Sequence, residues 1–113
     1  MKKLIAVFAV LMLLCSGVYA KRTLELTADT LVKTGIGQLR GIFVITDGTN
    51  DVTLDIYDNT SALAGKEMIP SWTINGADTY GVLSFDHAPE GFGTGLYIDV
   101  TTVGTVTFMV YYD

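Results

Sequence analysis

Apolar and polar side chains alternate with a period of two through four stretches of the chain. Leu24 and Leu26 are interleaved with Thr23, Glu25 and Thr27, and Val52, Leu54 and Ile56 with Asp51, Thr53 and Asp55. Leu96, Ile98 and Val100 are interleaved with Tyr97, Asp99 and Thr101, and Val106, Phe108, Val110 and Tyr112 with Thr105, Thr107, Met109 and Tyr111. Successive side chains of an extended backbone point to opposite faces, so each stretch predicts a strand with one buried face. A fifth stretch, residues 39–46, contains Ile42, Phe43, Val44 and Ile45 without a break. That run predicts a strand buried on both faces. Weaker strands are predicted over residues 68–74 and 80–85, each shortened by a nearby Gly, Pro or Ser.

Turn signals separate these segments. Thr34-Gly35-Ile36-Gly37 precedes the long apolar strand, and Asp47-Gly48-Thr49-Asn50 follows it as a predicted hairpin loop. Asp58-Asn59-Thr60-Ser61 and Ala64-Gly65 make a longer loop, Asn75-Gly76 a tight turn, residues 89–95 a break, and Val103-Gly104 the last turn. No stretch of about eleven residues after Ala20 carries a helical stripe. The pattern predicts an all-β domain: a small antiparallel β-sandwich, jelly-roll-like, of about seven or eight strands. Its expected core is Leu26, Ile42, Val44, Leu54, Ile56, Phe85, Leu96, Ile98, Val106, Phe108 and Val110.

The first twenty residues break this pattern. Met1-Lys2-Lys3 is a positive start, residues 4–14 are apolar, and Val18-Tyr19-Ala20 places small residues at −3 and −1 before Lys21. This is the form of a secretory signal peptide, and the run is shorter than the ~20 residues that span a bilayer. The expected organisation is therefore a signal peptide over residues 1–20 and one domain over 21–113. The protein is expected to be secreted, extracellular or periplasmic, with no stable membrane anchor after cleavage. Cys15 opens a lipoprotein alternative, against which stands the large Leu14 before it.

Cleavage would remove 20 of 113 residues and two of the seven basic ones, leaving 93 residues, five cations and a net charge of −7. The only Cys goes too, so thiolate chemistry is not expected of the mature chain. One Cys and one His in the whole chain exclude a disulfide framework and a Cys/His zinc cluster. The remaining cations, Lys21, Arg22, Lys33, Arg40 and Lys66, are dispersed. Nucleic-acid binding needs them clustered, so it is not expected.

Candidate chemistry is thin. Gly91-Phe92-Gly93-Thr94-Gly95 has the glycine spacing of a phosphate cradle, but a strand follows it instead of a helix, and a glycine-rich turn is the preferred reading. Ser84, Asp86 and His87 lie close together. On a strand, however, His87 faces away from the other two, and no nucleophile elbow surrounds Ser84. Asp47, Asn50 and Asp51 offer oxygens in one loop, with Asp58 as a further donor should its loop fold alongside. Calcium takes six to eight oxygens in a site of its own, and the turn reading is preferred. No two of the twelve acidic residues are marked as a buried glycosidase pair. Trp72, Tyr80, Tyr97 and Tyr111 are candidates for an aromatic sugar-binding platform. Asn59-Thr60-Ser61 is a glycosylation sequon, relevant only in a eukaryotic host. No catalytic, cofactor-binding or metal-ligating residue is assigned.

Three stretches carry a family resemblance. They are residues 31–42 (LVKTGIGQLRGI), residues 54–61 (LDIYDNTS), and residues 95–100 (GLYIDV) leading into 105–112. In order and spacing they resemble small β-rich structural proteins of the virions of tailed phages and prophages. The resemblance implies a non-enzymatic decoration or assembly module without cofactors. The signal peptide departs from it, since phage particles assemble in the cytoplasm. The expectation is thus a secreted structural protein, not an enzyme. It would associate with itself or an assembly partner through strand edges or an exposed apolar patch, the terminal segments 21–27 and 105–112 being the foremost edges. The alternative is an extracellular carbohydrate-binding module using exposed aromatics.

Overall fold

The structure, a computed structural model, describes residues 21–85 and 89–113. The expected leader with Cys15 lies outside the described residues, as do Asp86 and His87. Nine strands follow one another: β1 (Lys21–Arg22), β2 (Thr30–Thr34), β3 (Gly37–Thr46), β4 (Val52–Tyr57), β5 (Trp72–Ile74), β6 (Tyr80–Ser84), β7 (Glu90–Phe92), β8 (Gly95–Thr101) and β9 (Val106–Tyr112). Sheet I has the order β1-β9-β3-β6, with β7 beside β6 on the same flank of β3, and sheet II the order β2-β8-β4-β5. All pairings are antiparallel. The expected all-β sandwich is the fold.

The core lies between the sheets. Ile42, Val44, Leu54, Ile56, Leu96, Ile98, Val106, Phe108 and Val110 are buried as predicted, while Leu26 and Phe85 are partly buried against them. Leu39, Val52, Ile74 and Phe92 complete the layer. The phase of the alternation was thus read correctly in β3, β4, β8 and β9.

Several local expectations are corrected. β3 is buried on one face only: Phe43 is half-buried and Ile45 is 45% exposed. Residues 23–27 do not form a continuous strand. Leu26 makes a lone bridge to Phe108, and Leu24 is 86% exposed. The strand expected over 68–74 contracts to β5, and β2 and β7 occupy positions without a predicted strand. Asn75-Gly76 does not close a tight hairpin. Asn75 caps a 3-10 turn, Gly76–Asp78, its side chain accepting from the Ala77 N–H.

The loop at residues 47–50 is an arch between sheets and not a hairpin, because β3 belongs to sheet I and β4 to sheet II. Among the described strands only β4 with β5, and β6 with β7, are consecutive within one sheet. At the arch the buried Thr46 hydroxyl donates to Gly76 O (2.9 Å) and accepts from the Gly48 N–H (3.1 Å). A polar side chain can sit there because both of its hydrogen-bonding roles are satisfied.

Candidate functional site

The aspartates that the sequence offers as ligands are tied to the protein's own backbone. Asp58, just past β4, accepts from the N–H groups of Gly93 (3.0 Å), Thr94 (2.8 Å) and Gly95 (3.3 Å). The glycine-rich turn is therefore an anion cradle of a kind, and its anion is a carboxylate of the same chain. Hydrogen bonds from Thr94 and Gly93, and then Gly95, hold Asp58 below the usual carboxylate range against the opposing effect of burial. The contact staples the end of β4 to the turn between β7 and β8.

Asp47 does the same at the arch. It accepts from the Asn50 N–H (2.7 Å), the Asn50 side chain (2.7 Å), the Thr49 N–H (2.9 Å) and the Thr105 N–H (3.3 Å). The Asn50 backbone bond, foremost, holds its pKa far below the ordinary 3.8. Asp51 accepts from the Gly76 N–H (2.9 Å). The candidate calcium loop is thus an internally bonded turn. Asp58 stands at the other end of β4 from it, about 17–20 Å away along a six-residue strand. Among the described residues no group of three or more His, Cys, Asp or Glu side chains has the arrangement of a metal site.

The four candidate sugar-binding aromatics are not brought together. Trp72 is half-buried against the core, Tyr97 sits on the outer face of sheet II, and Tyr80 and Tyr111 sit on the outer face of sheet I. Tyr97 instead pairs with Tyr57, which was not singled out from the sequence, with ring centroids 6.5 Å apart. Ser84 ends β6 on the outer face of sheet I, and its supposed partners Asp86 and His87 are outside the described residues.

The two outer faces differ sharply in chemistry. Residues directly opposite in a ladder share a face, which places Tyr80, Val82 and Ser84 of β6, Gly41, Phe43 and Ile45 of β3, and Thr107, Met109 and Tyr111 of β9 on one surface. No carboxylate stands among these positions. Tyr80 and Val82 are 60% and 59% exposed, and the Tyr80 ring stacks on Phe43 at 6.2 Å. Over Gly41 the face dips into a notch of about 330 Å³ bounded by Phe43, Val82, Ser84 and Tyr111.

On sheet II the central outward pair is Asp55 opposite Asp99, with Tyr57 opposite Tyr97 beside it. Burial, the neighbouring Asp29 and then Asp55 push the Asp99 carboxyl above its ordinary 3.8. Asp29 also accepts from the Val100 N–H (2.7 Å), and Asp55 accepts from the Ser71 hydroxyl. Burial first, followed by Asp55, Glu67 and Asp99, raises the Tyr57 phenol. An open cleft of about 550 Å³ at one end of the sandwich is lined by four threonines among small and apolar residues and has Asp29 as its one charged wall.

No known family's sequence model matches the chain. Searches of curated proteins and of solved structures likewise return no match.

Proposed function

We propose that the chain is a secreted, non-catalytic structural protein that works by associating with copies of itself, in the manner of the phage virion subunits its sequence resembles. The observation that carries this reading is the outer face of sheet I. It is a contiguous apolar surface on a strongly acidic chain, with no carboxylate at its ladder positions. Exposed apolar patches of this kind mark interaction surfaces. The binding of the candidate ligand aspartates Asp47, Asp51 and Asp58 to backbone N–H groups supports a structural role over a chemical one.

The test is the assembly state of the full chain, expressed in a secreting host and purified from whichever fraction holds it. Light scattering and electron microscopy are expected to give concentration-dependent oligomers. A monomer at millimolar concentration would overturn the reading.

A second reading, a carbohydrate-binding module, draws support from the outer face of sheet II. There the half-buried Tyr97 packs on the buried Tyr57 beside Asp55 and Asp99, an aromatic ring flanked by hydrogen-bond acceptors. Retardation on polysaccharide gels, lost in Tyr97→Ala, would favour it.

A further inference from the structure

Resting on the self-association reading, we infer that the open edge of β6 pairs antiparallel with the β6 edge of a second copy, joining two copies of sheet I into one continuous sheet. Every sheet edge exposes unpaired backbone groups, and proteins blunt such edges with short strands, charges, prolines or bulges. β1 is two residues, Lys21 and Arg22, both basic. β2 is interrupted by a register shift between Leu31 and Lys33 and carries that lysine. β5 has three residues and follows Pro70 closely, and β7 has three residues behind Pro89. β6 has five residues, Tyr80–Ser84, with none of these devices.

The ladder shows which groups β6 leaves open. Phe85 donates its N–H to Arg40 O (2.8 Å), and Thr46 donates to Thr79 O (2.8 Å). Hydrogen-bonded and non-bonded pairs alternate in an antiparallel ladder. Gly81 and Leu83 therefore bond to β3, while Tyr80, Val82 and Ser84 turn their N–H and C=O groups away from it. No strand pairs with that side among the described residues. β6 is also seated closely on β5 across the core: a Cβ on Gly81 would lie 2.7 Å from an Ile74 side-chain carbon and 3.2 Å from Trp72.

A second copy is the occupant that this edge fits. Two β6 strands related by a two-fold axis at Val82 set Val82 against Val82 and Tyr80 against Ser84. Their outward groups then form up to about six hydrogen bonds. Any partner must approach a chain whose formal net charge is −5. A second copy approaching this edge meets no carboxylate on β6 or on the adjoining β3 and β9 face, so these surfaces add no like-charge repulsion.

The test is sedimentation velocity of the full chain over a wide concentration range, with three variants checked for folding by circular dichroism. Val82→Pro removes an outward N–H that the β3 ladder does not use. Val82→Lys keeps the N–H, brings two cations together at the two-fold axis, and carries the test should the proline variant not fold. Ile45→Lys charges the middle of the outer face and leaves the edge intact. The expected result is a dimer for the parent and for Ile45→Lys, with dimer dissociation constants raised about tenfold or more in both Val82 variants. A parent dimer that survives folded Val82 variants overturns the edge pairing and leaves the self-association reading standing. A parent that stays monomeric overturns both.

Discussion

The outer faces of sheet I and sheet II sit on the same core and are built from the same alternating pattern, yet they present opposite chemistry. At the centre of sheet I, Phe43 lies between Val82 and Met109. At the centre of sheet II, Asp55 lies against Asp99 with Asp29 close by. Directly opposed like charges weaken a ladder, and an apolar surface in water has a cost of its own. Neither face is optimised for the stability of a lone sandwich. The inward residues carry the fold, and the outward ones are available for other roles.

The largest effect is expected from removing the layer that both faces share. Phe108, 1% exposed, lies between the sheets, and Phe108→Ala should cost about 3–5 kcal/mol. Chemical denaturation should show it as a lower midpoint with an unchanged slope. Next in size is the tie between sheets made by Asp58. Asp58→Ala leaves three N–H groups without their charged acceptor, and in this half-exposed setting the loss should be about 1–2 kcal/mol.

Asp99→Asn should act with the opposite sign. Removing one of two opposed carboxylates is expected to stabilise by roughly 0.2–1 kcal/mol, read as a higher melting temperature near neutral pH. The same pair gives a pH signature. Asp99 is raised above 3.8 in the fold, so the folded chain takes up that proton before the unfolded one, and acidification from neutrality toward 3.8 adds stability. Asp47, Asp58 and Asp113 are depressed, so their contribution is complete above 3.8 and is lost as the pH falls below it. Melting temperatures followed downward in pH should rise slightly and then drop. In Asp99→Asn the rise should disappear and the drop remain. The smallest effect on folding belongs to sheet I's outer face: Val82→Thr should change stability by no more than about 0.5 kcal/mol. A larger loss would mean that this face supports the monomer, and the contrast between the faces would lose its functional meaning.

The sequence was most legible where alternation is long and uninterrupted, and least where position depends on distant partners. β4, β8 and β9 alternate cleanly, and their inward residues were found. The outward placement of Phe43 and Ile45 is hidden in the sequence because an unbroken apolar run looks the same whether its second face meets protein or water. β2 carries Lys33 beside its register shift, which breaks the period. β7 is short, lies between Pro89 and the glycines, and reads as a turn. Asp47-Gly48-Thr49-Asn50 has turn residues that suit a hairpin and the arch after β3 equally. Only the pairing of β3 with β6 and β9 decides the matter. Asp58 and the glycine cradle were each noticed, but 35 residues separate Asp58 from Gly93, and no local signal joins them. The terminal segments expected as free edges pair with each other, Lys21 with Tyr112 and Arg22 with Tyr111. β9 consequently lies inside sheet I, and β6 holds the open edge.

That placement of β9 has a consequence for how the molecule comes into being. Val106–Tyr112 lies between β1 and β3 in sheet I, yet 60 residues of sequence separate its start from the end of β3 and 84 from the end of β1. Without β9 sheet I lacks its middle and the core lacks Phe108. Contacts of such long sequence separation also slow the final search, because the closure entropy of the whole chain opposes them. Sheet I is thus expected to close in one cooperative step, when β9 docks between β1 and β3.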